Sequence, residues 1–568
     1  METRPVAGLL CGCWNLLRVF ELSVFAAGGR VNWCFSCLPR LLMRPLWFDP
    51  VELLVRYWRL RRIVLVVARR SMALTGLLLV GCATVVIAPP QPERPLERIE
   101  SAHGYRFANL PPGPDNTDGL FMVLAFSGGG TRSAALAYGV LEQLRDTSVY
   151  WEGRQRRLLD EVDVINGVSG GSYAAAYYGL HGDAFFTSFP QRFLQADLQS
   201  ELLDHYVSVT GLAQLLDWSR NDRVDHLSWL IDRHVFEGKT FADLLARRQR
   251  PLIVLHATDL ALGSDFQFTQ DQLDPLCIDL SSFPIARAVA ASSAVPILFG
   301  PVALKNHAGR CGYVAPSWLR QPVPQPVDSG LSLRMQRHAS DVRSYLDADK
   351  KTGRPWIHLV DGGVSDNLGL RGAIESSMAR GGLAPLLRRL GVKEVRKVVF
   401  LVVSAEVLPD LKIDRSGDSP GTATMATAVV DAFMNNNSFE IMAWLRSNFS
   451  LWQKEARESV AAGDRHDSPY AGLPEFHLIE VNLRDIQDSA ERERMMAVPT
   501  TLKLDPEQVS SLIQAGRTLL ERAPEFRRLV QALRVPHPPE AEEGIRAEAV
   551  GSLVPMRVGA QTVCTAPN

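Results

Sequence analysis

Residues 162–173 read VDVINGVSGGSY. A short apolar run, Val162 to Ile165, breaks into Gly167-Val168-Ser169-Gly170-Gly171, and a helix-forming segment, Tyr173 to Leu180, follows. The order is strand, tight turn, helix, with a serine on the turn. In a G-x-S-x-G turn the chain reverses so sharply that bulky neighbours of the serine would collide, and the hydroxyl is held clear of the backbone. The start of the following helix favours negative charge developing beside that hydroxyl. Glycine and serine also crowd together in ordinary strand-to-helix turns, so the meaning of this one rests on what the rest of the chain brings to it.

Upstream, Leu120 to Phe126 (LFMVLAF) reads as a buried strand that runs into Ser127-Gly128-Gly129-Gly130-Thr131-Arg132 and then a helix, Ala134 to Leu144. Three glycines between a strand and a helix expose backbone N–H groups at a helix start, a nest that suits a phosphate or an oxyanion. The stretch lacks the Lys-Ser/Thr ending of a nucleotide P-loop and the spacing of a dinucleotide fingerprint, so an oxyanion hole fits it better. A close strand–helix approach would also call for glycine. Two successive strand–turn–helix units place both turns at the C-terminal edge of a parallel sheet, where α/β sites lie.

The motifs GGGTR (128–132), GVSGG (167–171) and DGG (361–363), in this order, resemble the patatin-like phospholipase family. HATDL (256–260), AVAASSAVP (288–296), Lys503-Leu504 and PEQV (506–509) are similar to that family's text as well. The resemblance implies an α/β fold of three layers, with a central, mostly parallel sheet between helices. It makes Ser169 the nucleophile, Asp361 its base, and Gly128, Gly129 and Gly130 the oxyanion loop. Arg132, Gly167, Gly171 and Gly362 support them. It implies a Ser–Asp dyad with no histidine, metal or cofactor, acting on phospholipid or another lipid ester and not on nucleic acid. Ser133 departs from the family's usual glycine at that place. His358, three residues before Asp361, is expected to be a core histidine of the strand Trp356 to Val360, and His256 follows the apolar strand Leu252 to Leu255. A catalytically silent lipid-binding envelope lipoprotein, or an acyltransferase using the same dyad, are the alternatives.

The 568 residues are 46% hydrophobic and 22% charged, a globular composition, and the net charge of −1 implies no polyanionic partner. Residues 1–81 are basic, with eleven Arg and Lys against four Asp and Glu. Arg69-Arg70 precedes about ten largely apolar residues that end in Leu79-Val80-Gly81-Cys82, a run too short for a bilayer span of about 20 residues. Its end resembles a bacterial lipobox. That resemblance implies a lipid on Cys82, a mature chain starting there, and anchoring in the cell envelope, at the outer membrane. The prolines after Cys82 suit a stiff tether or an interdomain linker. Cys277 and Cys311 could pair in an oxidising compartment.

The expected organisation is an N-terminal extension with a signal (1–81), a tether (82–118), a catalytic domain (119–405), a mostly helical C-terminal part packed on it (406–535) and an irregular tail (536–568). Two stretches stand out inside the catalytic domain. Residues 181–250 carry Phe185, Phe186, Phe189, Phe193, Trp218, Trp229 and Phe236, as a lipid-contacting flap or a helical layer on the core. Residues 303–350, with Pro322, Pro324 and Pro326, read as a surface insertion. The strand Val395 to Val403 is expected to complete the sheet. Val429, Phe433, Phe439, Met442 and Leu445 form a stripe along a helix over 421–460, interrupted at Asn435-Asn436-Asn437, that suits core packing.

Overall fold

The computed structural model describes residues 93–207, 222–296, 298–320, 330–407, 411–461 and 468–534. The expected extension and signal, Cys82 with the start of the tether, Trp218, Pro322, Pro324, Pro326 and the tail from 536 lie outside the described residues. Among the described residues no helix is long and apolar enough to cross a membrane.

The strands, in chain order, are β1 (Leu120–Phe126), β2 (Ser148–Trp151), β3 (Arg154–Arg157), β4 (Val162–Val168), β5 (Leu252–Asp259), β6 (Ser264–Gln267), β7 (Val302–Lys305), β8 (Trp356–Asp361), β9 (Val395–Ser404) and β10 (Tyr470–Asn482). Eight of them form one sheet in the order β10-β9-β1-β4-β5-β8-β7, with β6 also paired to β5. The pairs from β10 through β5 are parallel, while the pairings β5–β8, β8–β7 and β5–β6 are antiparallel. β2 and β3 form a separate hairpin. Every residue of β1 and of β5 is buried. That is why their sequences run apolar without alternation: a parallel sheet covered on both faces has no wet side.

The helices that matter for the site are α1 (Gly130–Asp146), α2 (Gly170–His181), α3 (Ile285–Ser292), the short α4 (Gly363–Asp366), the long α5 (Thr422–Ala461), α6 (Pro506–Arg522) and α7 (Pro524–Ala532). α1 starts at Gly130 itself, four residues before the expected Ala134, because the glycine loop leads into the helix without a linker. α1 and α6 meet at glycines on both sides: a Cβ on Gly139 would run into the Ile513 backbone, and one on Gly516 would come within 2.5 Å of the Leu136 oxygen.

Several expectations are corrected. The C-terminal part is not only helical: β10 supplies the edge strand beyond β9, so Val395–Ser404 is an inner strand. Residues 93–118 do not stand off as a tether. Tyr105, Phe107 and Leu110 are buried in the core, and Arg106 pairs with Asp274. The stretch from 303 is not wholly an insertion, since Val302–Lys305 pairs with β8 and Tyr345 donates from its buried hydroxyl to Asp259 at 2.9 Å. In the described parts of 181–250, Phe185, Phe189, Phe193 and Phe236 are fully buried and Phe193 stacks on Tyr173 at 4.2 Å, so of the two readings these residues fit the helical layer. His358 is exposed rather than a core histidine. The stripe on α5 splits: Leu445 is buried, yet Val429, Phe433 and Phe439 face solvent, and the three asparagines continue the helix instead of breaking it.

Candidate active site

β1 and β4 are neighbours with Phe126 paired to Gly167, so the glycine loop 127–130 and the serine turn 168–171 leave the sheet side by side. The sequence forces the contact to be close. A Cβ on Gly170 would lie 2.5 Å from the Gly130 nitrogen, and one on Gly171 would lie 2.5 Å and 2.7 Å from the Phe126 and Ser127 oxygens. Ser169 itself sits at φ 47°, ψ −118°, a strained conformation for a residue with a side chain. The strain aims the hydroxyl off the end of β4 at the start of α2, as the turn pattern implied.

That hydroxyl donates to Asp361 Oδ2 at 2.8 Å. Asp361 is the last residue of β8, an antiparallel neighbour of β5 in which it pairs with Ala257. Its other oxygen, Oδ1, accepts from the Gly363 amide at 2.8 Å, which fixes the carboxylate plane. Asp361 is fully buried and Ser169 is 6% exposed. Burial pushes the Asp361 carboxyl up to about 7, against the opposing pull of the Gly363 amide and the Ser169 hydroxyl. A carboxylate poised near neutrality suits a base that must gain and lose a proton in one cycle.

The end of α3 and the residues just after it brace both partners. Ser292 Oγ accepts from the Ser169 amide at 2.8 Å, the Ser292 carbonyl accepts from Gly362 at 3.1 Å, and the Ala294 carbonyl accepts from Asp361 at 2.9 Å. Thr258 Oγ1 donates to the Asp361 carbonyl at 2.8 Å. None of these serine and threonine roles is marked in the sequence beyond the AVAASSAVP and HATDL text that carries them.

The glycine loop is fixed from three sides. Gly128 donates to Asn367 at both Oδ1 (3.1 Å) and the carbonyl (3.2 Å), so its amide is already engaged. The amides of Gly129 and Gly130 have no such partner among the described residues, and both glycines adopt positive φ, 136° and 59°. Thr131 donates to the Thr501 carbonyl at 2.8 Å. Ser133 donates to the Ser127 carbonyl, so the departure from a glycine at this place closes the loop on itself. Of the three amides expected to face an oxyanion, that of Gly128 is taken up by Asn367, while those of Gly129 and Gly130 are left open among the described residues. Asn367 is the residue missed: it ends the stretch DGGVSDN, 361–367, whose spacing from the aspartate was visible but whose partner across the sheet was not.

Arg132 is neither on the surface nor in contact with the dyad. It is buried, donating from Nε to the Ala405 carbonyl at 3.1 Å, from Nη1 to the Val498 carbonyl and from Nη2 to Thr500 at 3.1 Å. Burial lowers its pKa to about 10, partly offset by Asp431. It ties the loop to the strand β9 exit and to residues 498–500.

No histidine bonds to Ser169 or Asp361 among the described residues. His256 lies within β5, its Nδ1 2.9 Å from Asp265 and its Nε2 3.0 Å from Asn166 Oδ1. Together with Asp366 these side chains form the one group of potential metal ligands close enough to share an ion among the described residues. Their atoms are already used: Gln267 donates to Asp265, and the amides of Leu368, Gly369 and Arg371 donate to Asp366. The cluster is a turn cap joined to a buried ion pair.

A central α/β sheet, a strained serine elbow, a buried carboxylate on it and a glycine nest beside it define a serine-elbow α/β protein. Residues 124–374 match the family model described as patatin-like phospholipase, and the chain carries a domain of that family. No curated protein matches the sequence closely enough to count. Among solved structures, human GIVD cytosolic phospholipase A2 aligns at 13% identity over 73% of this chain and 62% of its own, with a TM-score of 0.35. The heterodimeric complex ExoU-SpcU from the type III secretion system of Pseudomonas aeruginosa aligns at 15% identity over 80% of each chain, with a TM-score of 0.20. Overlaps this loose carry no functional argument, and the chain spans under two thirds of the human enzyme's length.

Proposed function

We propose that the protein is a serine acyl hydrolase that cleaves fatty-acyl esters of phospholipid or a related lipid. The observation that carries this reading is the 2.8 Å hydrogen bond from the strained Ser169 hydroxyl to the buried Asp361 carboxylate. In the first step Asp361 takes the hydroxyl proton as Ser169 Oγ bonds to the ester carbonyl carbon. Charge moves to the carbonyl oxygen, where the amides of Gly129 and Gly130 are free to donate; one such donor is worth about 2.7–4 kcal/mol of barrier. Collapse of the tetrahedral intermediate breaks the ester bond, and the proton on Asp361 passes to the leaving alcohol. Water then attacks the acyl-serine, gives a proton to the same carboxylate, and releases the fatty acid as Ser169 recovers its hydrogen. The proton is handed over without a histidine.

The test is a fluorophosphonate probe, which phosphonylates an activated serine. Wild-type protein labels on Ser169, Ser169→Ala does not, and Asp361→Ala labels at least 100-fold more slowly. Full labelling of either variant would remove the assignment.

We also place the protein in the bacterial envelope, anchored by a lipid on Cys82. The Cys277–Cys311 disulfide, with Cα atoms 5.5 Å apart, supports an oxidising compartment. Mass spectrometry of the mature N-terminus checks it: a diacylglyceryl cysteine at Cys82 is the expected result, and an unmodified chain beginning elsewhere rules the anchor out.

A further inference from the structure

The first half of α5 has two faces with different jobs. Its inner face lines the site. Met434 packs against the Cα of Gly363, the residue whose amide holds the Asp361 carboxylate. Asn437 donates to the Val364 carbonyl at 2.7 Å, and Ser438 accepts from Asn367, the residue that holds Gly128. Its outer face is exposed and mainly apolar, with Asn436 within it and Glu440 at its end. Met425, Val429, Phe433 and Phe439 are 47%, 54%, 59% and 66% exposed. At about 100° per residue they fall within one third of the helix circumference, so they form a continuous stripe.

This face is unusual in composition as well as exposure. The 18 residues Thr422–Phe439 contain a single charge, Asp431, and no cation. Scattered exposed apolar side chains are ordinary, but four on one helix face whose sole exposed charge is Glu440 at its end mark a contact surface. The second half of the same helix shows the contrast: Ile441, Leu445, Phe449 and Trp452 are buried against the sheet.

We propose that the outer face of residues 425–439 is where the protein seats on the surface of a lipid aggregate. The choice of occupant rests on the hydrolase reading above and on continuity with the site. The turns that expose Phe433 and Phe439 are the turns that place Met434, Asn437 and Ser438 over the dyad and its bracing residues. A lipid surface that takes the outer face therefore meets the enzyme on the helix whose inner face touches Gly363, Val364 and Asn367, the turn that follows Asp361. The lack of cations means that insertion of apolar side chains, rather than attraction to anionic headgroups, holds the contact. Binding should then survive high salt, which screens charge but not apolar burial.

The test uses the full chain in the Ser169→Ala background for binding and the native serine for rates. Phe433→Glu/Phe439→Glu is compared with wild type on phosphatidylcholine vesicles and on p-nitrophenyl butyrate dissolved below its aggregation limit. Vesicle co-sedimentation and vesicle hydrolysis should each fall at least tenfold in the variant, while the soluble ester is cleaved within twofold of wild type. Wild-type co-sedimentation should change less than twofold between 0.1 and 0.5 M NaCl. Met425→Gln/Val429→Gln, on the same stripe and farther from the site, should weaken vesicle binding in the same direction. Vesicle binding unchanged in the Glu variant overturns the proposal. So does an equal loss on soluble and vesicle substrates, which would make the face part of the catalytic framework. So does conversion of a wild-type dimer to a monomer with vesicle binding intact, which would make the occupant a second copy of the chain. Wild-type vesicle binding that the variant loses, with no ester cleaved by either, would sink the hydrolase reading and keep the surface.

Discussion

Asn367 accepts from the Gly128 amide twice, through Oδ1 at 3.1 Å and its carbonyl at 3.2 Å, across 239 positions of chain. Its Nδ2 donates to Ser438 Oγ at 3.1 Å. One side chain thus sets the spacing between the glycine loop, the turn after Asp361 and the long helix. Asn367→Ala removes the side-chain acceptor while the carbonyl remains. The loop should loosen without opening, with kcat on a soluble ester falling about tenfold and KM changing less than threefold, since the loop acts on the developing oxyanion more than on bound ester. Asn367→Asp keeps the acceptor for Gly128 and loses the donor to Ser438, so it should lie between the two. Steady-state kinetics beside a thermal melt checks it. An Asn367→Ala enzyme with unchanged kcat would mean that Asn367 does not position the loop.

Burial raises the Asp361 carboxyl to about 7, and only its ionised form can take the Ser169 proton. kcat/KM should therefore climb through a single ionisation near pH 7 and level off above it, rather than near pH 4 as for an exposed aspartate. A pH–rate profile between pH 5 and 9 on a soluble ester reads this directly.

The same shift has a stability consequence of opposite direction. The folded state prefers the neutral carboxyl, so below the ordinary value of 3.8 both states are protonated and Asp361 costs nothing. As pH rises from there to about 7 the unfolded chain ionises first, and the folded state loses stability; above about 7 the loss is constant. Asp361→Asn should accordingly be more stable than wild type at pH 8, on the order of a few kcal/mol at most, with the difference shrinking towards pH 4. Thermal melts at the two pH values decide it, and a variant less stable than wild type at pH 8 contradicts the penalty.

The parts of the site carried by short, local text were legible in the sequence. The serine elbow, the glycine loop and the DGG turn each announce themselves through glycine, because each needs a backbone that a Cβ would obstruct. The hydrogen-bond braces were not, because Ser292, Thr258 and Asn367 are ordinary residue types whose meaning depends on which strand lies beside them. β10 was missed for a related reason. Its sequence, YAGLPEFHLIEVN, carries Gly472 and Pro474, and after Tyr470 opposite Val395 its continuous pairing resumes only at Glu475. The α5 stripe shows how a loose reading of periodicity fails: at about 100° per residue Leu445 lies about 120° round the helix from Phe433, so the two sit on different faces and only Leu445 is buried.

Gly171 offers a test of how tightly the two turns are pressed together. A methyl group there would meet two backbone oxygens, of Phe126 and Ser127, neither able to swing aside as a side chain could. Gly171→Ala should lower stability by about 1–3 kcal/mol, as overpacked sites do, and abolish most of the activity by displacing Ser169 from the glycine loop. Gly472→Ala, where nothing lies within 4 Å, is the control and should be within about 0.5 kcal/mol of wild type. Chemical denaturation of both variants, with rates on a soluble ester, separates a local clash from a general intolerance of substitution.

The Cys277–Cys311 disulfide closes a 34-residue span that contains Ser292 and Ala294, the residues bracing the Ser169 amide and the Asp361 and Gly362 amides. Both cysteines are buried. Closing a loop of this length restricts the unfolded chain by roughly 3–4.7 kcal/mol on the chain-entropy account, so Cys277→Ser/Cys311→Ser should be less stable by several kcal/mol. The braces are also held by α3 packing and by the sheet, so the folded variant should keep kcat at 20 °C within about twofold. The signature is a split: thermal inactivation of wild type moves down on adding dithiothreitol and that of the double variant does not, while low-temperature rates stay together. If reduction instead cuts the low-temperature rate and leaves the melt alone, the crosslink serves the geometry of the dyad and not the stability of the fold around it.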